Sequence, residues 1–237
     1  MKKQSNLIIL IAVFMLMTLL YYVSTEDIIF TVVLFLGCVA YSIFYARKKL
    51  INSHSYGERV ENCNTFINSL VVSLSIRTNL AEAVSSILDG LPDSLKRELE
   101  IYRNDDPVEM IKNLREYFKL EIYDVFSETI SLYGTQGGDP LTMFNEILDN
   151  TRSLLDRNTE RKYEGKKTFI MTSTLWGLAL LILVVCRFAI REIYENLLGQ
   201  LMFSIMVFIV YLMGLASYHL FVLKVTKVKG VDDAKRT

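Results

Sequence analysis

Hydrophobic positions along this chain follow two regimes. In four windows, about Leu7–Val23, Ile28–Ala46, Thr168–Cys186 and Leu197–Leu223, no Asp, Glu, Lys or Arg interrupts the apolar run. Crossing about 30 Å of hydrocarbon takes roughly 20 helical residues. One ionised side chain at the centre of such a helix costs on the order of 2.5–3.5 kcal/mol. Four windows free of charge therefore predict four transmembrane helices, two near the N-terminus and two near the C-terminus. The first window follows Lys2 and Lys3, as the apolar core of a signal peptide would. It is longer than such a core needs, and no small-x-small cleavage site follows Val23. Only Ser24, Thr25, Glu26 and Asp27 separate it from the second window, so a retained helical hairpin is the better reading.

Between the two pairs the pattern becomes amphipathic with helical spacing. Val60, Cys63, Ile67, Leu70, Val71 and Leu74 share one face of a first helix. Thr78 is placed to cap a second helix, carrying Leu80, Ala83, Val84, Ile87 and Leu88, with Gly90 at its C-terminus. Pro92 suits the first turn of a third helix with Leu95 and Leu99. Asp106 then Pro107 opens a fourth, with Met110, Ile111, Leu114 and Phe118, and Ile122, Val125, Phe126, Ile130 and Tyr133 define a fifth. Gly134-Thr135-Gln136-Gly137-Gly138 then allows a tight reversal at positive φ. Asp139 is placed to cap a last helix, with Pro140 in its first turn and Leu141, Phe144, Ile147, Leu148, Leu154 and Leu155 as its apolar positions. Nothing but Gly165 interrupts that helix before Cys186, so it is expected to run about 70 Å at 1.5 Å per residue. The expected fold class is an all-α integral membrane protein, with four transmembrane helices flanking a cytoplasmic all-α bundle of about six helices. The divisions are 1–46 for the N-terminal hairpin, 47–167 for the cytoplasmic domain, 168–223 for the C-terminal pair and 224–237 for a basic tail.

Charge sets the orientation. Lys2, Lys3, Arg47, Lys48, Lys49, Arg161, Lys162, Lys166, Lys167, Lys224, Lys227 and Lys229 all flank the ends that belong on the cytoplasmic side. The opposite ends carry Glu26 and Asp27 in one short loop and Arg187, Arg191, Glu192 and Glu195 in the other. Both termini and the long middle segment are thus expected in the cytoplasm. Tyr21, Tyr22, Tyr45 and Tyr218 fall near span ends, where amphipathic rings prefer the interface. From Ile51 to Glu160 there are 10 Lys or Arg against 19 Asp or Glu, a net of −9. Positive charge thus gathers near the membrane, where each residue gains about 1 kcal/mol against anionic lipid, and negative charge lies further out. The acidic segment is read equally as a solvated surface and as a docking face for a basic partner.

Overall composition narrows the function classes. The 237 residues are 51% hydrophobic and 22% charged, with a mean hydropathy of +0.30, too apolar for an ordinary soluble domain. Lys plus Arg and Asp plus Glu are both 26, which argues against a nucleic-acid partner. Two His, three scattered Cys and three Pro do not make a zinc module, a disulfide scaffold or a Pro-rich linker. Phosphate-loop, H-E-x-x-H and intramembrane-protease signatures are all missing, so no catalytic, cofactor-binding or metal residue is assigned. Cys38, Cys63 and Cys186 read as small hydrophobes, and His54 and His219 as packing or interface residues. The glycine turn could cradle a phosphate, but Asp139 would repel the anion, and the turn reads as structural. Glu98 with Glu100 and Asp105 with Asp106 have the spacing of solvated faces and caps.

The order of features resembles the type II secretion system F-domain family, and most nearly its short single-repeat members, the TadB and TadC type platform proteins of Tad pili. Ser75-Ile76-Arg77-Thr78-Asn79-Leu80-Ala81-Glu82-Ala83-Val84 resembles the family's arginine-led helix start. Pro92 to Leu99 resembles the following helix, and Gly134 to Gly138 the paired-glycine signature. Asn79 stands where many relatives have glycine, and Asp105-Asp106-Pro107 replaces a glycine common there. The resemblance implies a non-enzymatic platform in the cytoplasmic (inner) membrane that couples a hexameric secretion ATPase to the assembly or export of pilin or pseudopilin subunits. It also implies pairing with itself or a paralogue, since single-repeat members correspond to half of a duplicated form. The other reading is a membrane adaptor or signalling receptor whose helical domain binds a cytoplasmic partner.

Overall fold

The structure, a computed structural model, describes residues 5–77 and 79–226. Lys2, Lys3, Thr78, Lys227 and Lys229 lie outside the described residues. Among the described residues every regular element is helical and none is a strand. The elements are α1 (Ser5–Thr25), α2 (Ile28–Tyr41), a π-helical segment (Ser42–Ala46), α3 (Arg47–Ile76), α4 (Leu80–Ile87), a 3₁₀ turn (Leu88–Gly90), α5 (Asp93–Ile101), α6 (Pro107–Asn113), α7 (Arg115–Phe118), α8 (Glu121–Gln136), α9 (Pro140–Ala189), α10 (Arg191–Leu198) and α11 (Leu201–Thr226). Among the described residues four helices are long and apolar enough to cross a membrane: α1, the unbroken run Ile28–Ile76, α9 and α11.

The chain divides into two compact units, one of Met1–His54 with Arg161–Thr237, the other Ser55–Glu160. These limits fall inside α3 and α9, which both run on past the change from apolar to polar composition.

In the Ser55–Glu160 unit the core is built from Val60, Cys63, Phe66, Ile67, Leu70, Val71 and Leu74 of α3, Leu95 and Leu99 of α5, Met110, Ile111, Leu114 and Phe118, and Tyr123, Phe126, Ile130, Phe144 and Ile147. The aromatic centre is close-packed, with Phe118 and Tyr123 ring centroids 4.4 Å apart and Phe126 and Phe144 5.4 Å apart. Local chemistry sets the helix ends. Asn79 caps α4, its Oδ1 accepting from Ala81 N–H at 2.9 Å. Asp106 caps α6 through Val108 N–H at 3.1 Å, with Pro107 in the first turn. Asp139 accepts from Thr142 N–H at 3.1 Å at the start of α9. Pro92 is the N-cap of α5 rather than part of its first turn.

Four expectations are corrected here. The segment from Pro107 to Phe118 is two helices, because ψ at Leu114 opens to −9° and lets Phe118 turn into the core. Gly134 lies inside α8, and only Gly137 (φ 69°) and Gly138 (φ 131°) form the turn. Val125 and Leu141 are exposed: the inward stripe of α8 is Tyr123, Phe126, Ser127 and Ile130, and Tyr123 keeps its hydroxyl satisfied there by donating to Ile111 C=O at 2.9 Å. The last long helix begins at Leu201 rather than Leu197, because Gly199 and Gln200 separate it from α10.

The other unit packs α1, α2, α9 and α11 around Leu10, Phe14, Met17, Tyr21, Leu34, Cys38, Leu180, Val207, Tyr211, Tyr218 and Val222. Gly214 permits the approach of α1 and α9 to α11, since a Cβ there would meet Met17 Cε at 2.9 Å and the Trp176 ring at 3.4 Å. The outer faces are apolar and uncovered: Ile29 is 76% exposed, Phe44 81%, Met171 63% and Met206 65%. Fully burying one such side chain stabilises by about 1.5–3 kcal/mol. A surface of this kind is compatible with a membrane-embedded protein.

Candidate functional site

The structure brings together few of the groups that the sequence singles out for chemistry. Cys38 and Cys63 are buried, Cys186 is half-buried, and all three are free thiols. Burial pushes the Cys63 thiol up to about 12, so it is held neutral. Among the described residues no three His, Cys, Asp or Glu side chains gather as a metal would require. His54 and His219 have separate surroundings. His54 Nδ1 is buried without a hydrogen-bond partner, whereas His219 Nδ1 lies 3.2 Å from Tyr41 Oη, beside Tyr45 at 5.0 Å between ring centroids. Asp105 accepts from Asn113 Nδ2 at 3.1 Å and Asp106 is the cap described above, so neither is poised for acid–base work. Glu98 is half-buried and Glu100 exposed.

The glycine turn ends on a carboxylate that is already engaged. The Thr142 hydroxyl, and then its N–H, hold Asp139 below the ordinary carboxylate value, so a negative charge occupies the N-terminus of α9. An incoming anion would meet that charge.

A surface for a partner is better defined. On α8, Glu121, Val125, Glu128 and Leu132 are all exposed and recur at i, i+4, i+7 and i+11, which places them on one face. Val125 is 48% exposed and Leu132 51%. Arg115 stiffens the edge of this face. Its Nε donates to Ser127 Oγ at 2.5 Å, and Nη2 donates to Asp124 C=O at 3.0 Å and to Glu128 Oε1 at 2.9 Å. The stripe thus alternates carboxylates with apolar side chains on a helix whose opposite face is locked into the core. Behind α3, Asn62 Nδ2 donates to Ser94 Oγ at 3.0 Å and Tyr117 Oη at 2.7 Å, tying α3 to α5 and α7.

In the apolar unit, polar groups gather at two ends. At one, Arg187 donates to Val23 C=O and to the Glu26 carboxylate, joining the end of α9 to the turn between α1 and α2. Its side chain is only 14% exposed. The hydroxyls of Tyr21, Tyr194 and Tyr211 are buried there without a hydrogen-bond partner among the described residues. Near Tyr211, a void of about 10 Å³ among Met17, Thr18, Leu34, Cys38 and Leu215 has room for a single water. At the other end lie the Tyr41–Tyr45–His219 cluster and Lys49, whose ammonium sits 5.5 Å from the Tyr45 ring centroid.

The charge pattern puts Glu26 and Arg187 on the same side without pairing them. A carboxylate and a guanidinium, each just past an apolar run, were the available signal. The α8 stripe is not evident from the sequence, because Val125 fits the spacing of the core face. Compared with known proteins, the chain matches no family model, no curated protein and no solved structure.

Proposed function

We propose that this chain is a membrane platform protein of a type IV or Tad-like pilus or a type II-like secretion machine. In this reading it couples a cytoplasmic secretion ATPase to pilin assembly or export and carries out no reaction of its own. The observation that carries the reading is the insertion of one polar, self-cored helical unit between two pairs of apolar helices. The resemblance of residues 75–84, 92–99 and 134–138 to the F-domain family supplies the machine. The four apolar helices cross the cytoplasmic membrane, with both termini and the polar unit in the cytoplasm. The basic flanks support that orientation, and the contact between Glu26 and Arg187 supports a common outer side for both short loops. The exposed stripe Glu121–Val125–Glu128–Leu132 is the docking face for a basic surface of the motor. Helical continuity of α9 through Gly165 supports transmission of movement. A second copy or a paralogue completes the platform.

Deleting the chain is expected to abolish surface filaments while pilin synthesis continues, and normal piliation would reject the proposal. In detergent, the intact protein is expected to crosslink to the ATPase through α8. The combined exposed substitutions Glu121→Gln and Val125→Asp should abolish that crosslink, at a cost in thermal stability no larger than the loss of one carboxylate from the first turn of α8. Capture of a kinase or transporter in place of the ATPase would favour the membrane-adaptor reading.

A further inference from the structure

Helix α10 (Arg191–Leu198) interrupts the path between the two apolar helices of the C-terminal pair. Its N-cap Ile190 leaves helical geometry at φ −125° and ψ 52°, which turns the chain out of the line of α9. Ile190, Ile193, Tyr194 and Leu197 recur at i, i+3, i+4 and i+7, whereas Arg191, Glu192 and Glu195 occupy the opposite side. One residue of the apolar face, Tyr194, is only 3% exposed and packs edge-on against Phe203 of α11, ring centroids 5.4 Å apart. That contact fixes how α10 lies against the unit. It leaves Ile193 60% and Ile190 46% exposed. On the polar side, Arg191 Nε and Glu195 Oε1 pair at 2.7 Å within the helix and remain solvated, with side-chain exposures of 77% and 54%.

We infer that α10 is an interfacial helix: it lies in the headgroup region of the non-cytoplasmic leaflet with Ile190 and Ile193 inserted among lipid chains. The inference rests on the membrane reading above and adds to it a third kind of segment, one that lies on the bilayer rather than across it. Lipid is favoured as the occupant by continuity. Along the chain the uncovered residues lie between Val185 and Phe188 at the end of α9 and Met202, Ile205 and Met206 at the start of α11, all of them exposed apolar side chains. An amphipathic helix with a short apolar edge suits the shallow boundary between acyl chains and headgroups. The helix carries one Arg against two Glu, so anionic lipid would not draw it down. Neutral phosphatidylcholine is sufficient, and the apolar side chains supply the attraction.

The test uses the full chain in a background of Cys38→Ala, Cys63→Ala and Cys186→Ser, reconstituted into phosphatidylcholine vesicles. Single cysteines at positions 190–198 are spin-labelled, and collision with oxygen, which partitions into lipid, is compared with collision with a water-soluble nickel chelate. Leu181→Cys and Met206→Cys report the faces of α9 and α11. The oxygen-to-nickel ratio is expected to be several-fold higher at Ile193→Cys and Ile190→Cys than at Glu192→Cys and Glu195→Cys, with helical periodicity between them. If positions 181 and 206 are oxygen-dominated while 193 is as open to nickel as 192, the interfacial assignment is overturned and the membrane reading stands. If 193 is immobilised and closed to both reagents, a protein surface such as a second copy covers it, and the assignment is equally overturned. If 181 and 206 are themselves open to nickel, the membrane reading fails and the α10 inference fails with it.

Discussion

Gly134, Gly137 and Gly138 lie within five residues of one another, yet substitution should change stability in opposite directions. Gly137 sits at φ 69° and ψ −162°. For a side chain other than hydrogen, that sparsely populated region costs on the order of 1–3 kcal/mol. No heavy atom lies within 4 Å of a Cβ built there, so the penalty for Gly137→Ala is purely conformational. Gly138, at φ 131°, carries the same kind of penalty, and its Cβ would also displace Met143 Sδ from 2.9 Å. Gly134 is helical, and an added Cβ would meet Val108 Cγ2 at an ordinary 3.5 Å. There the gain in helix propensity from Gly to Ala, about 1 kcal/mol, applies without a clash. The expected spread between Gly134→Ala and Gly137→Ala is therefore about 2–4 kcal/mol. A domain near 100 residues moves by about 4–8 °C per kcal/mol, so the two melting points should differ by more than 8 °C. Cys63 is the natural reporter. It is fully buried and its thiol is pushed up to about 12, so a thiol-reactive dye labels it only as the unit opens. The melts would use the whole chain in detergent with Cys38→Ala and Cys186→Ser. Gly137→Ala melting with the parent, or Gly134→Ala falling as far as Gly137→Ala, would refute the conformational argument.

Two further outcomes follow from the same unit. Asn62→Ala should destabilise it by about 1–3 kcal/mol through loss of its bonds to Ser94 and Tyr117; if that loss is unchanged in a Tyr117→Phe background, the two side chains are not coupled as drawn. Asp139 is held below its ordinary value of 3.8, so the stability it adds is present above that value and lost as pH falls through its lower folded-state value. The parent should therefore melt above Asp139→Ala near neutral pH, with the gap narrowing in acid, and a gap that widens on acidification would show that the carboxylate charge is not the stabilising form.

Legibility in the sequence depended on how local the governing interaction is. The long apolar windows needed only composition, because no charge can sit cheaply at their centres. Asp106-Pro107 and Asp139-Pro140 marked helix starts because a cap acts within three residues. Most of the α3 face from Val60 to Leu74 was legible from a single 3.6-residue period. Tertiary competition accounts for the misses. Val125 fits the helical phase of Ile122 and Phe126, yet the inward stripe runs through Tyr123, whose hydroxyl donates to Ile111 C=O. The break at Leu114 separates α6 from α7, whose Phe118 is buried, and no local propensity marks it. The pairing of Glu26 with Arg187 spans 161 residues of sequence, so its two halves could be assigned to one side but not to each other.

Hydroxyl groups in the apolar unit show how such helices tolerate polarity among apolar neighbours: Thr18, Ser24, Thr25 and Ser42 are all buried. Thr18 donates to Phe14 C=O at 2.8 Å, Ser24 to Leu20 C=O at 2.8 Å, Thr25 to Tyr21 C=O at 3.0 Å, Ser42 to Cys38 C=O at 2.8 Å, and Ser217 to Met213 C=O at 2.9 Å. Each closes on the carbonyl one turn back, so its donor is satisfied within its own helix and does not have to be met by a neighbour. The arrangement leaves van der Waals packing, as at Gly214, to bring α1, α9 and α11 together. Arg187 differs because a guanidinium has more donors than one carbonyl can accept. It requires Val23 C=O and the Glu26 carboxylate together, which ties its position to the rim of the unit. Hydroxyls can therefore recur along these helices, whereas the one mostly buried guanidinium of this end sits where the last turn of α1 and the turn after it can both accept from it.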